Sequence, residues 1–416
     1  MNNRKGTIRR IAAMLLVGLL SWSLAQVQLD FWSWRTEDVE AYEQFIEAFE
    51  AEHPDISVTF TPYRNTEYNT ILSTALQGGG GPDVIQLRAY GGMEPLAQAG
   101  FLYPLDGEIA ELDSFNEGFL AGATNREDGR VYGVPFALQT VQVLYNETMF
   151  EELGLEEPQT WAQFVEVAEA LQASGVDALA NGTSEPWTLE TLFGGVAPSY
   201  YQCNDFYNDI VNGGADFTDP RFANALNRMV ELQPYLASDY MGINYTDMQT
   251  LFAYEQAGML IGGSYELGTM ASLNPDLRIG SFPFPGEEAG EACVSYYVDG
   301  SYGVNANSEN VEAALEFVSF LASQEYGQMF TDTLKQISAV PGTEPTDPAL
   351  AQMNELMNEQ GTPFLMLTQF RYGQPSGSTL LQNEMQAVMA GDQTVDEAVA
   401  NIQRGIETWY DFGSAE

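Results

Sequence analysis

Residues 27–60, VQLDFWSWRTEDVEAYEQFIEAFEAEHPDISVTF, place a strand, a helix and a second strand in one short run. Val27 to Trp32 reads as a strand. From Glu37 to Glu52 the residues Tyr42, Phe45, Ile46 and Phe49 recur at helical spacing, and His53-Pro54 stops the helix. Ile56 to Phe60 alternates as the next strand. Tyr68, Ile71, Leu72, Ala75 and Leu76 then form another helical face, ended by Gly78 to Gly81. Pro82-Asp83-Val84-Ile85 restarts a strand, and Met93 to Ala99 is a short helix closed by Gly100. Strands joined through helices point the same way, so this order predicts a largely parallel sheet with helices on its faces.

A second α/β block follows. Gly133-Val134-Pro135 leads into the apolar run Gln139 to Tyr145. Thr160-Trp161-Ala162-Gln163 is a capping box for a helix carrying Phe164, Val165, Ala168 and Leu171. Val298 to Val304 is a glycine-bearing strand, followed by a helix with Val311, Ala314, Leu315, Val318 and Leu321. Thr394-Val395-Asp396-Glu397 is a second capping box, opening a helix that buries Ala398, Ile402, Ile406 and Trp409. A chain of 416 residues exceeds one compact core and points to two domains.

The N-terminus sets the compartment. Arg4, Lys5, Arg9 and Arg10 precede the apolar run Ile11 to Leu20, and Ser23-Leu24-Ala25 offers the small residues a signal peptidase reads. Residues 1–25 are therefore expected to be a leader cleaved before Gln26, giving an exported protein, periplasmic or extracellular. The apolar run is shorter than the roughly 20 residues of a membrane span. Arg9-Arg10 lacks the rest of a twin-arginine signal, and no cysteine follows for lipid anchoring.

Without that leader, 11 Lys+Arg stand against 59 Asp+Glu, and Lys335 is the one remaining lysine. Such acidity repels phosphate backbones and excludes nucleic acid as a partner. A binder of polyamines or metals is one reading of it. The acids are spread over the whole chain, which favours a solvated acidic surface suited to a saline medium. There is one histidine, His53, and two cysteines, Cys203 and Cys293. His53 lies between a helix and a strand, which argues against a Ser-His-Asp triad, and a His/Cys zinc site lacks ligands. The two cysteines either pair in an oxidising compartment or remain buried thiols.

A series of landmarks stands in a characteristic order: Glu52-His53-Pro54-Asp55, Gly81-Pro82-Asp83-Val84-Ile85, Leu96-Ala97-Gln98-Ala99-Gly100, Gly129-Arg130-Val131-Tyr132-Gly133-Val134-Pro135, Leu144-Tyr145-Asn146 and Pro158-Gln159-Thr160-Trp161. Later come Gly258-Met259-Leu260-Ile261-Gly262-Gly263-Ser264-Tyr265, Gly303-Val304-Asn305-Ala306-Asn307-Ser308 and Gly391-Asp392-Gln393-Thr394-Val395-Asp396-Glu397-Ala398. Over residues 27–412 the chain resembles the family 1 extracellular solute-binding proteins, the group containing the maltose-binding protein. The resemblance implies two α/β lobes with ligand in the cleft between them. Lobe I would take residues 26–137 plus 299–338, and lobe II residues 143–297 plus 343–416. Crossings would fall near 137–142, 298–300 and 338–342.

A sugar site needs flat apolar faces for C–H-rich ring surfaces and planar polar groups for paired hydroxyls. Loops at the carboxyl ends of strands are the natural place for both. Trp32-Ser33-Trp34-Arg35 leaves the first strand at such an edge; Trp32 is assigned to the core, and Trp34, Arg35 and Glu37 to the site. Arg88 and Tyr90 leave the third strand. Glu185-Pro186-Trp187 resembles the Glu-Pro-aromatic step that lines the cleft in maltose-type binders, with Trp187 as the stacking platform. Tyr265 and Glu266 stand where relatives carry a ligand-facing tryptophan. Gln139 and Asp299-Gly300-Ser301 occupy crossings, and Arg371 lies on a loop near the cleft. Ser376-Gly377-Ser378-Thr379 departs from the maltose binders, which carry aromatic rings there, and this disfavours a long maltodextrin.

The resulting expectation is the binding subunit of an ATP-driven sugar importer, not an enzyme. It would be a monomer that closes on a small sugar and delivers it to a membrane permease, with no cofactor. Arg35, Arg88 and Arg371 raise the alternative of an acidic sugar or glycerol phosphate. A ferric binder using Tyr200-Tyr201 or Tyr296-Tyr297, and a glycoside hydrolase using two carboxylates, are the remaining rivals.

Overall fold

A computed structural model describes residues 26–413; the leader expected at 1–25 lies outside the described residues. The first sheet is built around β1 (Val27–Ser33), β2 (Ile56–Pro62), β3 (Val84–Arg88), β4 (Leu102–Tyr103) and β5 (Val134–Pro135). The second contains β6 (Ala137–Asn146), β7 (Asp177–Leu179), β8 (Ala257–Gly263), β9 (Ile279–Phe282) and β10 (Val294–Val298). The chain then returns to the first sheet as β11 (Gly300–Asn305) and to the second as β12 (Ile337–Ser338) and β13 (Gly361–Pro363).

The opening segment folds as its pattern dictates. In the helix Val39–Glu52, Ala41, Tyr42, Phe45, Ile46 and Phe49 are buried on one face, and the His53 N–H closes it on the Phe49 carbonyl. β1 pairs in parallel with β2 from Val27–Ile56 to Ser33–Pro62, and with β3 at Phe31–Val84 and Trp32–Ile85. Phe31 sits at the centre of this unit, edge-on to Tyr42, Phe60, Tyr302 and Phe317 at 5.2–5.8 Å. Each such buried ring contributes about 1.5–3 kcal/mol. Buried polar groups here are joined to one another: the Tyr42 and Tyr302 hydroxyls lie 2.7 Å apart, Tyr302 and Tyr326 2.5 Å, and Gln86 donates to Tyr42 at 3.2 Å.

Strand order is β2-β1-β3-β11-β4 in the first sheet, with β5 on β11, and β13-β10-β6-β8-β7 in the second, with β9 and β12 on β6. The two-sheet α/β architecture is the expected one. The strand directions are more mixed than the βα order suggests. β11 is antiparallel to β3, β4 and β5, and β6 is antiparallel to β8, β9, β10 and β12. The cause is the crossing itself: a strand that leaves one sheet to enter the other meets neighbours running back the opposite way.

Three stretches pass between the sheets side by side. The Phe136 N–H donates to the Gly300 carbonyl at 3.2 Å, the Asp299 N–H to Ala137 at 3.0 Å, and the Ala339 N–H to Phe136 at 3.0 Å. Tyr90, in the left-handed region at φ 57°, adds its hydroxyl as acceptor for the Val298 N–H at 3.1 Å. Lys335 ends the helix Gln324–Leu334 just before the third crossing, and its Nζ lies 2.6 Å from Asp347.

Of the two capping boxes, Thr394–Glu397 is complete in both directions. At Thr160 only half forms: its side chain accepts from the Gln163 N–H, while the Gln163 side-chain Oε1 accepts from the Gln159 N–H instead. Among the described residues no helix is long and apolar enough to cross a membrane.

Cys203 and Cys293 form a disulfide across a sequence separation of 90, Cα atoms 6.0 Å apart, which settles the alternative left open by the sequence. Closing a loop of that size removes unfolded-state freedom worth about 4–5 kcal/mol. Replacing both cysteines by serine is expected to lower the unfolding free energy, measured by chemical denaturation, by most of that amount, and reduction of the wild type should reproduce the loss.

Candidate functional site

One wall of the site grows from the end of β1. Ser33 Oγ accepts the Arg35 N–H at 2.9 Å and donates to Gln86, which turns the chain sharply past the strand. Of the two tryptophans, Trp34 reaches the site as expected but is also the more buried one. Leu29, Phe31 and Ser33 face inward, so Trp32 is the half-buried one, edge-on to Tyr63 at 4.9 Å. Trp34, only 3% exposed, folds in against Tyr68 and Phe136. Its ring still lines the cavity, but one face is covered by the Arg88 guanidinium, 3.8 Å from the centroid. Asn65 Oδ1 anchors Arg88, and burial pulls this guanidinium down to about 10, with Asp299 opposing the shift and Arg371 adding to it. Arg88 remains a cation at neutral pH. Arg35 bonds Asp38 through Nε at 2.5 Å and pairs with Glu37 at 3.4 Å; burial works against its charge, and these two carboxylates outweigh it.

The facing wall is built on the helix Pro186–Val196. Glu185 precedes it and accepts from the Trp187 indole N–H at 2.8 Å and the Tyr245 backbone N–H at 3.3 Å. Trp187 and Tyr245 pack edge to face, 4.7 Å between centroids. Tyr265, just after β8, lies over Gly263, where a Cβ would fall 2.1 Å from its ring. Its hydroxyl is 3.4 Å from Thr191 Oγ1. Arg371 donates to Ser378 Oγ at 3.2 Å, and Ser376, Ser378 and Thr379 also line the cavity, with Ser376 Oγ accepting the Thr379 N–H at 3.1 Å. Tyr297 and Asp299, on the crossing, complete the lining of a space of about 510 Å³.

Of the expected site residues, Trp34, Arg35, Glu37, Arg88, Trp187, Tyr265, Asp299 and Arg371 line this cavity. The other six do not. Tyr90 is spent on the Val298 backbone. Gln139 is buried between Gln336 and Ser264. Glu185 positions Trp187 and Tyr245 from behind. Glu266 is fully buried and accepts from Tyr245 Oη at 3.2 Å and Gln249 at 2.9 Å. Gly300 and Ser301 lie within β11. A Cβ on Gly300 would meet the Leu87 carbonyl at 2.3 Å and the Trp34 and Phe136 rings at 2.8 Å, so the glycine serves packing at the crossing.

At the margin of the cavity the two units also touch directly. The Arg126 guanidinium lies 3.4 Å over the Tyr372 ring and reaches the Thr368 carbonyl at 3.3 Å and Gln369 Oε1 at 3.2 Å. Beside it a Cβ on Gly91 would meet the Arg371 carbonyl at 2.2 Å, so the two backbones are in contact there.

A family model for bacterial extracellular solute-binding proteins matches residues 32–328. The chain belongs to that family. The multiple sugar-binding protein of Streptococcus mutans serotype c is 26% identical over 366 residues, covering 80% of this chain and 83% of its own. The GacH receptor of Streptomyces glaucescens GLA.O, solved unliganded and with acarbose, matches with a TM-score of 0.77 at 21% identity, covering 93% of this chain and 100% of that one. A solute-binding protein of an ABC transporter from Thermotoga lettingae, bound to α-D-tagatose, gives 0.74 at 19% identity, covering 92% and 99%.

This solute-binding protein brings to its cavity several residues not expected there from sequence, chiefly Glu190, Thr191, Tyr245 and Gln382, and also Tyr297, which the sequence suggests only as an iron ligand. Glu190 and Thr191 stand three and four positions after Trp187, on the same helical face, and that spacing was available as a signal. Tyr245 carried none, since its place depends on Glu185 and Glu266 from distant segments. Of the paired tyrosines considered for iron, Tyr201 is buried and the Tyr200 hydroxyl donates to the Pro285 carbonyl at 3.1 Å.

Glu266 has a consequence for pH. Burial pushes its carboxyl up to about 7, against the hydrogen bonds from Gln249 and Tyr245. The folded protein thus holds a proton that the unfolded chain releases near pH 4.5. This stabilising contribution is full below that value and is lost as pH rises through about 7. Glu266→Gln should remove the trend: denaturation at pH 5 and pH 8 is expected to show wild type losing up to about 3 kcal/mol relative to the variant across that interval.

Proposed function

We propose that the chain is the exported substrate-binding subunit of an ATP-driven importer, capturing a short neutral saccharide and presenting it to a membrane permease. Residues 1–25 would be its leader. The observation that carries the reading is the composition of the cavity between the two units. Aromatic faces from Trp187, Tyr245 and Tyr265 stand beside hydroxyl and amide groups, and three guanidinium groups are matched by Glu37, Glu190 and Asp299. This balance suits an uncharged ligand with apolar ring faces and many hydroxyls. It opposes the acidic-sugar alternative, because Arg35 is already tied down by Asp38 and Glu37. A volume of about 510 Å³ and the hydroxyl-bearing segment at Ser376–Thr379 favour a small sugar over a long chain. Relatives named for sugar binding and for ABC transport agree with this assignment.

The two units, residues 26–137 with 299–338 and 143–297 with 343–416, would close about the crossings near 137–142, 298–300 and 338–342, acting as a monomer. Ligand that touches both walls shifts the equilibrium toward the closed form by its differential affinity. The family's members bind substrates; ATP hydrolysis would reside in other subunits.

Trp187→Ala is expected to weaken saccharide binding by about 10- to 100-fold without changing the melting temperature, as measured by calorimetry against a sugar panel. Arg126→Ala removes a contact between the units that no ligand touches. It should weaken every binding saccharide by about the same factor, roughly 10-fold, and leave their rank order intact; solution scattering of the unliganded variant should report a larger radius than wild type.

A further inference from the structure

Glu190 has no role in the mechanism above beyond its charge, yet its setting is unusual. It is 5% exposed, on the cavity face of the helix Pro186–Val196. Its Oε2 accepts from Gln382 Nε2 at 2.7 Å, which fixes the carboxylate plane. Its Oε1 is buried and finds no hydrogen-bond donor among the described residues. Arg371, a cation on the same cavity, turns its Nε to Ser378 at 3.2 Å instead. A buried carboxylate oxygen left without a donor is costly, whereas one facing a binding space can be satisfied by what enters it.

We propose that Glu190 is a specificity-determining residue, which reads a hydroxyl of the sugar ring stacked on Trp187 and rejects ligands that lack this donor or carry a carboxylate in its place. The chemistry follows from the geometry. An ionised carboxylate only accepts hydrogen bonds, so the incoming group must donate. Trp187 and Glu190 are three residues apart on one helix, with Cβ atoms about 5–6 Å apart, so ring face and acceptor address the same sugar unit. A hydroxyl fits better than an ammonium group, because Arg88 and Arg371 line the same space. A carboxylate would meet Glu190 with like charge. Sites built to bond a hydroxyl discriminate strongly against analogues that lack it, because the protein group is then stranded.

The assignment rests on the neutral-saccharide reading, and one experiment separates the two. Titration calorimetry of the wild-type chain against galactose, tagatose, maltotriose and raffinose, with galacturonate as the anionic probe, selects a neutral saccharide that binds. Its single-deoxy derivatives are then titrated into wild type, Glu190→Ala and Glu190→Gln. In wild type one deoxy position should lose about 100-fold in affinity. Glu190→Ala should bind the parent about 100-fold more weakly and show no further loss at that same position, with full loss retained at the others. Glu190→Gln should keep part of the affinity, having an acceptor oxygen but no charge, and should narrow the gap to galacturonate. Parent binding by Glu190→Ala within twofold of wild type, or equal losses at every deoxy position in both proteins, would overturn the assignment. The deoxy series in wild type still decides should Glu190→Ala fail to fold: tolerance of every deoxy position overturns the assignment. Binding of galacturonate alone, or of none of the neutral sugars, would overturn the neutral-saccharide reading and Glu190's role with it.

Discussion

The rest of the molecule depends on three backbone segments held side by side where they pass between the sheets. Phe136, Ala137, Asp299, Gly300 and Ala339 exchange main-chain hydrogen bonds at this point. Each is worth only about 0.5–1.5 kcal/mol net, but none has a substitute partner in so crowded a place. The absence of a Cβ at Gly300 lets Leu87, Trp34 and Phe136 close around the crossing. The hydroxyl chain from Tyr42 through Tyr302 to Tyr326 then locks β11 into the first unit. With that junction fixed, the cavity has a floor carrying Asp299, about which the proposed closure would turn.

The junction also explains which features were legible in the sequence. Local ones were. The helix Val39–Glu52, its stop at His53, the complete capping box at Thr394 and the place of Trp187 on the cavity follow from residues close together in the chain. Features that need a partner from far away were not. Strand direction in the second sheet depends on where β6 comes from, and periodicity does not encode that. Trp34 lines the cavity and yet is more buried than Trp32, because the turn after β1 is governed by Ser33 bonding Gln86, a residue more than fifty positions on. Glu185 and Glu266 read as ligand contacts, yet both stand behind the aromatic residues and hold Tyr245 from two sides. The pairing of Cys203 with Cys293 likewise could not be decided until their segments were seen to meet.

Charge is distributed with the same economy. Among the cations, Arg35, Arg88 and Arg371 serve the cavity and Arg126 the contact between the units. Arg221, Arg228 and Arg278 each bind two surface carboxylates. Many of the remaining carboxylates are exposed to solvent, where dissolved ions weaken their self-repulsion. Acidity and ligand recognition are therefore separate properties of this chain. The surface carries the first, and the cavity is locally balanced.

Lys335 gives this arrangement a practical handle. It is the one lysine between residue 26 and the C-terminus, and it lies two residues before β12, on the strap that makes the third crossing. Its side chain is about one-third exposed and held by a single carboxylate. If residues 1–25, which carry Lys5, are removed as proposed, no amine apart from the new amino terminus competes with it for an amine-reactive dye or coupling surface. In that form the protein would carry a natural single attachment point beside the proposed pivot, from which a fluorophore or an electrode would register the proposed closure without any engineered residue.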